Sequence, residues 1–407
     1  MIIGQPEITE ERDDIRLEAS IQAESEGVEV PHKLWFKIPK QHADHVKAWA
    51  DAFVVGLLPS AMNVGERIRV EAKISPKLAF GLKQYQHMQN LWYPHQFARI
   101  EVEPSGFEAR PASGSKAVGV AFSGGIDSSY TLWKRLAENE PIPGFQITHA
   151  LVINGFDRDI DLNFEGHFSK LRENYEPMLN DHGVEFVTVR TNLRRFRDVL
   201  KKRRTGLEKS YGVALSAVAL ACGGFFSRMY IPGSAQLPRH TQHPEGTHIL
   251  LDSHLSNECV DFIHDGADVS RVEKTLAIAS WPAMHDRLRV CFGDPKFNEA
   301  TGRPENCGHC EKCVRTMSAL EAAGELHKFK TFIEPFNLER VRNTRLRSKS
   351  AQLFGHENLE LAKKMNRPDL VEAIHHAIQQ SVEKPPAPRN IWLRRLRRFF
   401  SLRWLSS

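Results

Sequence analysis

The spacing of hydrophobic positions changes along the chain and divides it into regions. Over residues 1–103, strand-like segments such as HKLWFKIP and FARIEVEP flank a helical stretch near 78–92, which predicts a small, separate α+β unit. Residues 104–115 are rich in Pro, Gly and Ser, as linkers are. From residue 116 onward, short apolar runs alternate with helical stretches, the pattern of βαβ units. The sequence therefore predicts an α/β fold with a doubly wound parallel sheet.

The predicted parallel strands are nearly continuous apolar runs, which indicates burial on both faces of a sheet. They span residues 116–122, 147–155, 184–192 and 228–234. Helices are predicted at residues 128–139, 164–183, 207–226, 271–280 and 311–323. Because ligands of such sheets bind at the carboxyl ends of the strands, residues 116–250 predict a ligand-binding domain, with its site at the first strand-to-helix turn.

No segment of the sequence predicts a membrane span. The longest apolar stretch, residues 214–226, is shorter than the roughly 20 residues needed to cross a bilayer, and its small residues predict a buried helix. The N-terminus has an acidic flank and no basic region before an apolar core, so it does not predict a secretory signal. We expect a cytoplasmic protein.

The net charge of +5 is concentrated near the C-terminus, where residues 340–407 hold 15 Lys and Arg against 5 Asp and Glu. A basic tail, assigned to residues 336–407, predicts an anionic partner, either a membrane surface or nucleic acid, with a solvated tail as the alternative. The last segment resembles an interfacial helix, which would place the protein peripherally at a membrane; docking on a partner or on its own body is the alternative. Its apolar side consists of Trp392, Leu396, Phe399 and Phe400. A second basic stretch, residues 194–204, predicts a solvated helical face, with phosphate or RNA binding as the alternative.

The first strand-to-helix turn reads SGGIDS and has the chemistry of a phosphate-binding loop. Gly124 and Gly125 allow the backbone to approach a phosphate closely, and the N–H groups at the start of the following helix favour an anion. The hydroxyls of Ser123 and Ser128 add donors. Asp127 would repel a bare phosphate, so its presence predicts a bridging Mg²⁺. A chance Gly-rich turn is the alternative, and the sequence contains no Walker-type GxxxxGK[ST] motif.

The SGGIDS turn, placed between a predicted strand and a predicted helix, resembles the PP-loop of the ATP pyrophosphatases. Members of that family have a HUP-type sheet and cleave ATP between the α and β phosphates. The resemblance implies that Ser123, Gly124, Gly125 and Ser128 hold the pyrophosphate and that Asp127 binds the metal. It also implies that backbone groups near Val152 and Ile153, on the second strand, contact the adenine.

Four of the six cysteines lie close together in the sequence and predict a metal site. CGHCEKC supplies Cys307, Cys310 and Cys313, and Cys291 lies 16 positions before Cys307. In a cytosolic protein this spacing indicates metal rather than disulfides, and four thiolates form a closed, structural zinc site. An iron–sulfur cluster and His309 as a substitute ligand are alternatives. The isolated Cys222 and Cys259 are expected to be buried apolar residues.

The pairing of SGGIDS with a late cysteine cluster is similar to the queuosine-pathway cyano-deazaguanine synthases, which convert a carboxylate to a nitrile with ATP and ammonia. The similarity covers about residues 116–325. It does not include the N-terminal unit, the long Cys291–Cys307 loop or the basic tail, and the residues that bind the base in those synthases have no match here. Residues 251–335 are therefore expected to form a helical module with a four-cysteine zinc site.

Cations are needed beside the α-phosphate, and residues 264–274 are the best source of them. Arg271 and Lys274 lie three positions apart on one predicted helical face and could stabilise charge on the α-phosphate. A structural alternative is that Ser270 is an N-cap and Glu273 completes a capping box.

We therefore expect an ATP- and Mg²⁺-dependent adenylating enzyme. The oxygen of a carboxylate or amide, on a small molecule or a macromolecule, attacks the α-phosphorus, and a nitrogen nucleophile then displaces AMP. One alternative is tRNA sulfur transfer, for which Cys222 is the only candidate thiol in this domain. Another is a nucleotide-binding scaffold without turnover.

Overall fold

The computed structural model of the 407-residue chain describes residues 1–112, 114–156, 160, 165–202, 207–240, 244–291 and 296–383. The chain forms two compact units. Unit 1 comprises Met1–Asn306 with Phe329–Thr331, and unit 2 comprises Cys307–Lys328 with Phe332–Ser407. Among the described residues, no helix combines the length and the apolar character that a membrane span requires.

In the described part of the chain, an eleven-stranded sheet forms the centre of unit 1, and most of its strand pairs are parallel. In chain order its strands are β1 (Ile2–Ile3), β2 (Glu7–Glu10), β3 (Asp14–Gln22), β4 (Lys33–Pro39), β5 (Ile68–Val70), β6 (Val102–Pro104), β7 (Ala117–Ala121), β8 (His149–Asn154), β9 (Glu185–Thr191), β10 (Phe226–Pro232) and β11 (Asp261–Asp265). Across the sheet they follow the order β11-β10-β7-β8-β9-β4-β3-β1-β5-β6, with β2 paired to β3. A separate hairpin pairs β12 (Lys296–Phe297) with β13 (Pro304–Glu305).

The five strands β7 to β11 form a parallel block whose spatial order reverses once. Numbered along the chain, they lie in the order 3-2-1-4-5. The reversal falls between β7 and β10, and in sheets of this kind ligands bind in the crevice at the carboxyl ends of the two strands that flank it. All five residues of β7 are buried, as its continuous apolar run predicts.

The helices of unit 1 alternate with these strands along the chain. They are α1 (Asp51–Val64), α2 (Pro76–Trp92), α3 (Ile126–Lys134), α4 (Glu165–Asp181), α5 (Leu193–Lys202), α6 (Tyr211–Ala221), α7 (Leu237–His240) and α8 (Arg271–Ala279). Helix α3 packs against β7, β10 and α8, and α6 packs against β10 and α1. The two helices that flank the crevice, α3 and α8, are therefore in direct contact.

The predicted α/β class and the four predicted parallel strands are confirmed, with bounds shifted by at most about two residues. The structure adds a fifth parallel strand, β11, which the sequence did not reveal because it is short and interrupted by polar residues. The predicted helix at 207–226 is shorter and consists of a 3-10 turn at Leu207–Ser210 followed by α6.

The prediction that residues 1–103 form a separate unit is wrong. Strand β4 pairs antiparallel with β9, so the N-terminal strands continue the same sheet. Helix α1 packs against α5 and α6 and is buried on nearly its whole circumference. A helix buried on all sides lacks the one-sided apolar stripe that identifies a helix in a sequence, so the pattern of α1 does not predict it.

Unit 2 is helical. Its helices are α9 (Glu311–Ala322), α10 (Leu338–Arg342), α11 (Lys349–Lys364) and α12 (Pro368–Glu383). Helix α11 packs against α9 and α12, and α10 packs against α12. The prediction of a tail from residue 336 is therefore wrong as far as Glu383. The linker at 384–390 and the segment with Trp392, Leu396, Phe399 and Phe400 lie outside the described residues.

Candidate functional site

The SGGIDS turn connects β7 to α3, at the strand-order reversal. Gly124 has a φ of +72°, and a Cβ there would lie 2.0 Å from the hydroxyl oxygen of Tyr175. The Ser123 N–H donates to Ser128 Oγ at 3.2 Å, and the Ser128 hydroxyl donates to the Gly125 carbonyl, also at 3.2 Å. The turn is thus a compact backbone loop in which only glycine fits at position 124.

No side chain of the described residues caps the N-terminus of α3. Gly125 is its N-cap residue and can supply none. In contrast, Ser270 caps α8 and Glu273 completes the predicted capping box, which is confirmed. A helix N-terminus without a side-chain cap presents N–H groups and the positive end of the helix dipole to an anion. This is the arrangement that favours phosphate.

Asp127 lies in the first turn of α3 and faces α8. Its Oδ2 accepts from Nη1 of Arg271 at 2.5 Å. Its Oδ1 is buried and has no hydrogen-bond partner among the described residues. A buried carboxylate oxygen at a phosphate-type turn fits a ligand of Mg²⁺, which prefers carboxylate and phosphate oxygens.

Lys274 lies one turn along α8 from Arg271. It is fully buried, and its Nζ donates to the carbonyl of Gly233 at 2.6 Å. Gly233 immediately follows β10. Helix α8 therefore brings Arg271 to the end of β7 and Lys274 to the end of β10, the two strands that flank the crevice.

Val152 and Ile153 lie on β8 near its carboxyl end. The pairing of β8 with β7 ends at Leu151, whereas its pairing with β9 continues to Asn154. Both residues therefore lie past the last residue of β8 that pairs with β7, next to the turn.

Tyr175, from α4, forms one wall of the turn, and sequence analysis did not single it out. Its hydroxyl donates to the Arg287 carbonyl at 2.7 Å. Burial raises the pKa of Tyr175 to about 12, despite the opposing charges of Arg289 and Arg287, so the hydroxyl keeps its proton. No local sequence signal could reveal this residue, because it lies far from the turn along the chain.

The four predicted cysteines come together. The sulfur atoms of Cys291, Cys307, Cys310 and Cys313 all lie within 4.8 Å of one another. The Cys310 N–H donates to Cys307 Sγ at 3.3 Å. Four converging sulfur atoms could bind a metal such as zinc, and this donor set has no place for a catalytic water.

His309 does not join the four sulfur atoms. It is 62% exposed, and its Nδ1 lies 2.9 Å from the Cys307 carbonyl oxygen. The alternative in which it replaces a cysteine is therefore not supported by its position.

Cys222 and Cys259 are buried and far from a thiolate state. Burial raises the pKa of Cys222 to about 12 and that of Cys259 to about 11. A thiol is nucleophilic only when ionised, so burial disfavours the reactive form of both side chains. Both cysteines are buried, as the sequence predicted.

The basic stretch on α5 is only partly solvated. Arg197 is almost fully buried between the rings of Phe156 and Tyr211, and its Nε donates to Ser210 Oγ at 3.0 Å. The predicted solvated face is therefore contradicted at this position, and the last residues of the stretch, 203 and 204, lie outside the described residues.

The fold and the cysteine cluster define an α/β protein with a mostly parallel sheet and a candidate metal centre. No protein-family model, no curated protein and no solved structure matches the chain.

Proposed function

We propose that this protein is a PP-loop enzyme with a HUP-type sheet, which binds ATP with Mg²⁺ at the SGGIDS turn and adenylates an acceptor, releasing pyrophosphate. One observation carries the proposal. Asp127 places a buried carboxylate oxygen, with no hydrogen-bond partner among the described residues, at the uncapped N-terminus of α3. A negative charge at that point would oppose phosphate binding unless a divalent cation joined the two.

The turn supplies the pyrophosphate contacts. Backbone N–H groups of Gly124 and Gly125, with the hydroxyls of Ser123 and Ser128, would hold the β and γ phosphates. Asp127 would hold the Mg²⁺. Val152 and Ile153 lie past the last β8 residue that pairs with β7, and their backbone groups would contact the adenine.

Arg271 and Lys274 supply positive charge on the other side. Arg271 is already fixed by its ion pair with Asp127, so little reorganisation is needed when charge develops on the α-phosphate. Lys274 is held at the end of β10 by the Gly233 carbonyl. These two cations stabilise the attacked phosphorus centre and the departing pyrophosphate.

The acceptor is a carboxylate or amide. Its oxygen attacks the α-phosphorus of ATP, a new P–O bond forms, and the bond to the bridging oxygen of pyrophosphate breaks. A nitrogen nucleophile then attacks the activated carbon and AMP leaves with the acceptor oxygen. We further propose that the basic C-terminal segment binds an anionic partner, either a membrane surface or nucleic acid. The protein would then be cytoplasmic or lie peripherally at a membrane.

Zinc in the four-cysteine cluster fits a structural role. Cys291, Cys307, Cys310 and Cys313 would hold the ion, which would supply cross-linking rather than catalysis.

Sulfur transfer to tRNA would need a reactive thiol, and the described cysteines of unit 1 outside the cluster do not supply one. Cys222 is fully buried within the helical layer at α6, and its raised pKa opposes thiolate chemistry.

The test is release of pyrophosphate and AMP from ATP and Mg²⁺ across a panel of carboxylates and amides. We expect release with one class of acceptor, and a loss of at least about 100-fold in Asp127→Asn because the metal ligand is removed. Asp261→Asn is the matched control, since Asp261 is an exposed aspartate paired with Lys77 at the opposite end of the parallel strands. ADP and phosphate as products, or full activity in Asp127→Asn, would overturn the proposal.

A further inference from the structure

Residues Arg287–Cys291 run from the phosphate-type turn to the first cysteine of the cluster, and we call this segment the strap. At its centre, the Arg289 N–H donates to the Gly124 carbonyl at 2.8 Å. The guanidinium of Arg289 also donates to the Ser123 carbonyl, from Nη2 at 3.1 Å and from Nε at 3.3 Å. Arg289 therefore binds two consecutive carbonyl groups of the turn.

These hydrogen bonds set the direction of the N–H groups of the turn. In a planar trans peptide, the carbonyl and the next N–H point in opposite directions. Because the carbonyls of Ser123 and Gly124 point towards the strap, the N–H groups of Gly124 and Gly125 point away from it. Arg289 thus holds the turn in the orientation that an anion needs.

The start of the strap is fixed by Tyr175. Its hydroxyl donates to the Arg287 carbonyl and also occupies the space where a side chain on Gly124 would lie. The turn, Tyr175 and the strap are consequently packed as one element, and a displacement of the strap changes the contacts of the turn.

The end of the strap is fixed by Asn306, which is fully buried. Its Oδ1 accepts from the N–H groups of Val290, at 2.8 Å, and Cys291, at 3.1 Å. Its Nδ2 donates to the Leu288 carbonyl at 2.8 Å. Only one residue separates Arg289 from Cys291, whose sulfur atom belongs to the four-cysteine cluster. The strap therefore joins the turn to a ligand of the candidate metal centre.

We propose that Arg289 is a positioning residue that couples metal binding at Cys291 to nucleotide binding at the SGGIDS turn. A metal ion bound to the Cys291 sulfur atom restrains the end of the strap, and the restrained strap orders the turn. Without the metal, ordering the strap adds to the entropic cost of binding ATP. This inference rests on the proposed ATP site, and it assigns the cluster a role in nucleotide affinity beyond stability.

The coupling must be reciprocal, which makes it measurable on the folded, metal-loaded protein. If the metal raises nucleotide affinity, the nucleotide raises metal affinity by the same factor. Couplings of this kind typically amount to about 5–150-fold, and we expect about 10-fold here. Arg289→Gln removes the guanidinium contacts and keeps all four cysteines, so it should weaken nucleotide binding and abolish most of the coupling.

The experiment titrates the zinc-loaded full-length protein with Mg²⁺ and α,β-methylene-ATP by calorimetry. It then measures zinc transfer to a colorimetric chelator with and without this nucleotide. We expect wild type to retain zinc about 10-fold more tightly when the nucleotide is bound. Arg289→Gln should bind zinc normally and the nucleotide more weakly, and its zinc affinity should hardly respond to the nucleotide.

Arg228→Gln is the matched control, because Arg228 also donates to a backbone carbonyl, that of Gly144, from the amino-terminal half of β10. It should behave like wild type. Nucleotide binding by wild type without any change in zinc affinity would overturn the coupling and leave the proposed function intact. The coupling would also be overturned if the nucleotide changed the zinc affinity of Arg289→Gln as much as that of wild type. A wild-type protein that binds no nucleotide would overturn the proposed function itself, and the coupling with it.

Discussion

At the residue scale, the turn depends on a glycine for two separate reasons. Gly124 has a positive φ, and its missing side chain leaves room for the Tyr175 hydroxyl. The sequence could indicate the first reason, because SGGIDS follows a buried strand. It could not indicate the second, because Tyr175 and Arg289 reach the turn from distant parts of the chain.

We expect Gly124→Ala to destabilise the protein more than Gly183→Ala. Gly183 also has a positive φ, of +68°, but a Cβ there meets nothing within 4 Å. The Gly183→Ala variant therefore reports the backbone strain alone, which should cost about 1 kcal/mol of unfolding free energy. Gly124→Ala adds the overlap with Tyr175 and should cost roughly 2–4 kcal/mol. Urea unfolding of the two variants measures both losses of unfolding free energy. Equal losses would show that the Tyr175 hydroxyl does not exclude a side chain at position 124.

At the element scale, the candidate site lies where α3 meets α8 at the carboxyl ends of β7 and β10. Nearly continuous apolar runs in the sequence predicted four of the five strands of the parallel block. They did not reveal β11 or α1, since one is short and partly polar and the other is buried on all sides. The spacing of Arg271 and Lys274 placed them on one helix, but their separate destinations, Asp127 and Gly233, depend on tertiary packing.

The cysteine cluster leads to a prediction about metal content. Wild type should bind about one zinc per chain, and Cys310→Ser should lose most of it because a closed site needs four ligands. Cys222→Ala should retain the metal, since Cys222 is buried at the end of α6 and does not belong to the group. Elemental analysis gives the metal content. Strong absorbance near 400 nm together with bound iron would instead identify an iron–sulfur cluster.

At the scale of the whole molecule, the N-terminal region is part of the body of unit 1. Asp51, at the start of α1, accepts from Arg110, Ser75 and Asn257, and both members of its ion pair with Arg110 are almost fully buried. This network joins the predicted linker and the N-terminal region to the loop before β11. The sequence suggested a boundary there because Pro and Gly are frequent in the linker, whereas long-range ion pairing has no local signature.

We therefore expect Asp51→Ala to cost about 3–5 kcal/mol of unfolding free energy, since it leaves the Arg110 charge buried without its partner. Asp261→Ala removes an exposed ion pair with Lys77 and should change stability by less than about 1 kcal/mol. Chemical denaturation monitored by circular dichroism compares the two. Similar small effects would mean that the N-terminal region contributes little to the stability of unit 1.

The most direct test of adenylation follows the acceptor oxygen. With a carboxylate that supports turnover, labelled with ¹⁸O at both oxygens, the mass of the released AMP is measured after the nitrogen nucleophile has reacted. Attack of the carboxylate on the α-phosphorus predicts AMP that carries one ¹⁸O atom, with unlabelled pyrophosphate. Unlabelled AMP, or label in inorganic phosphate alongside ADP, would contradict an adenylate and with it the proposed reaction.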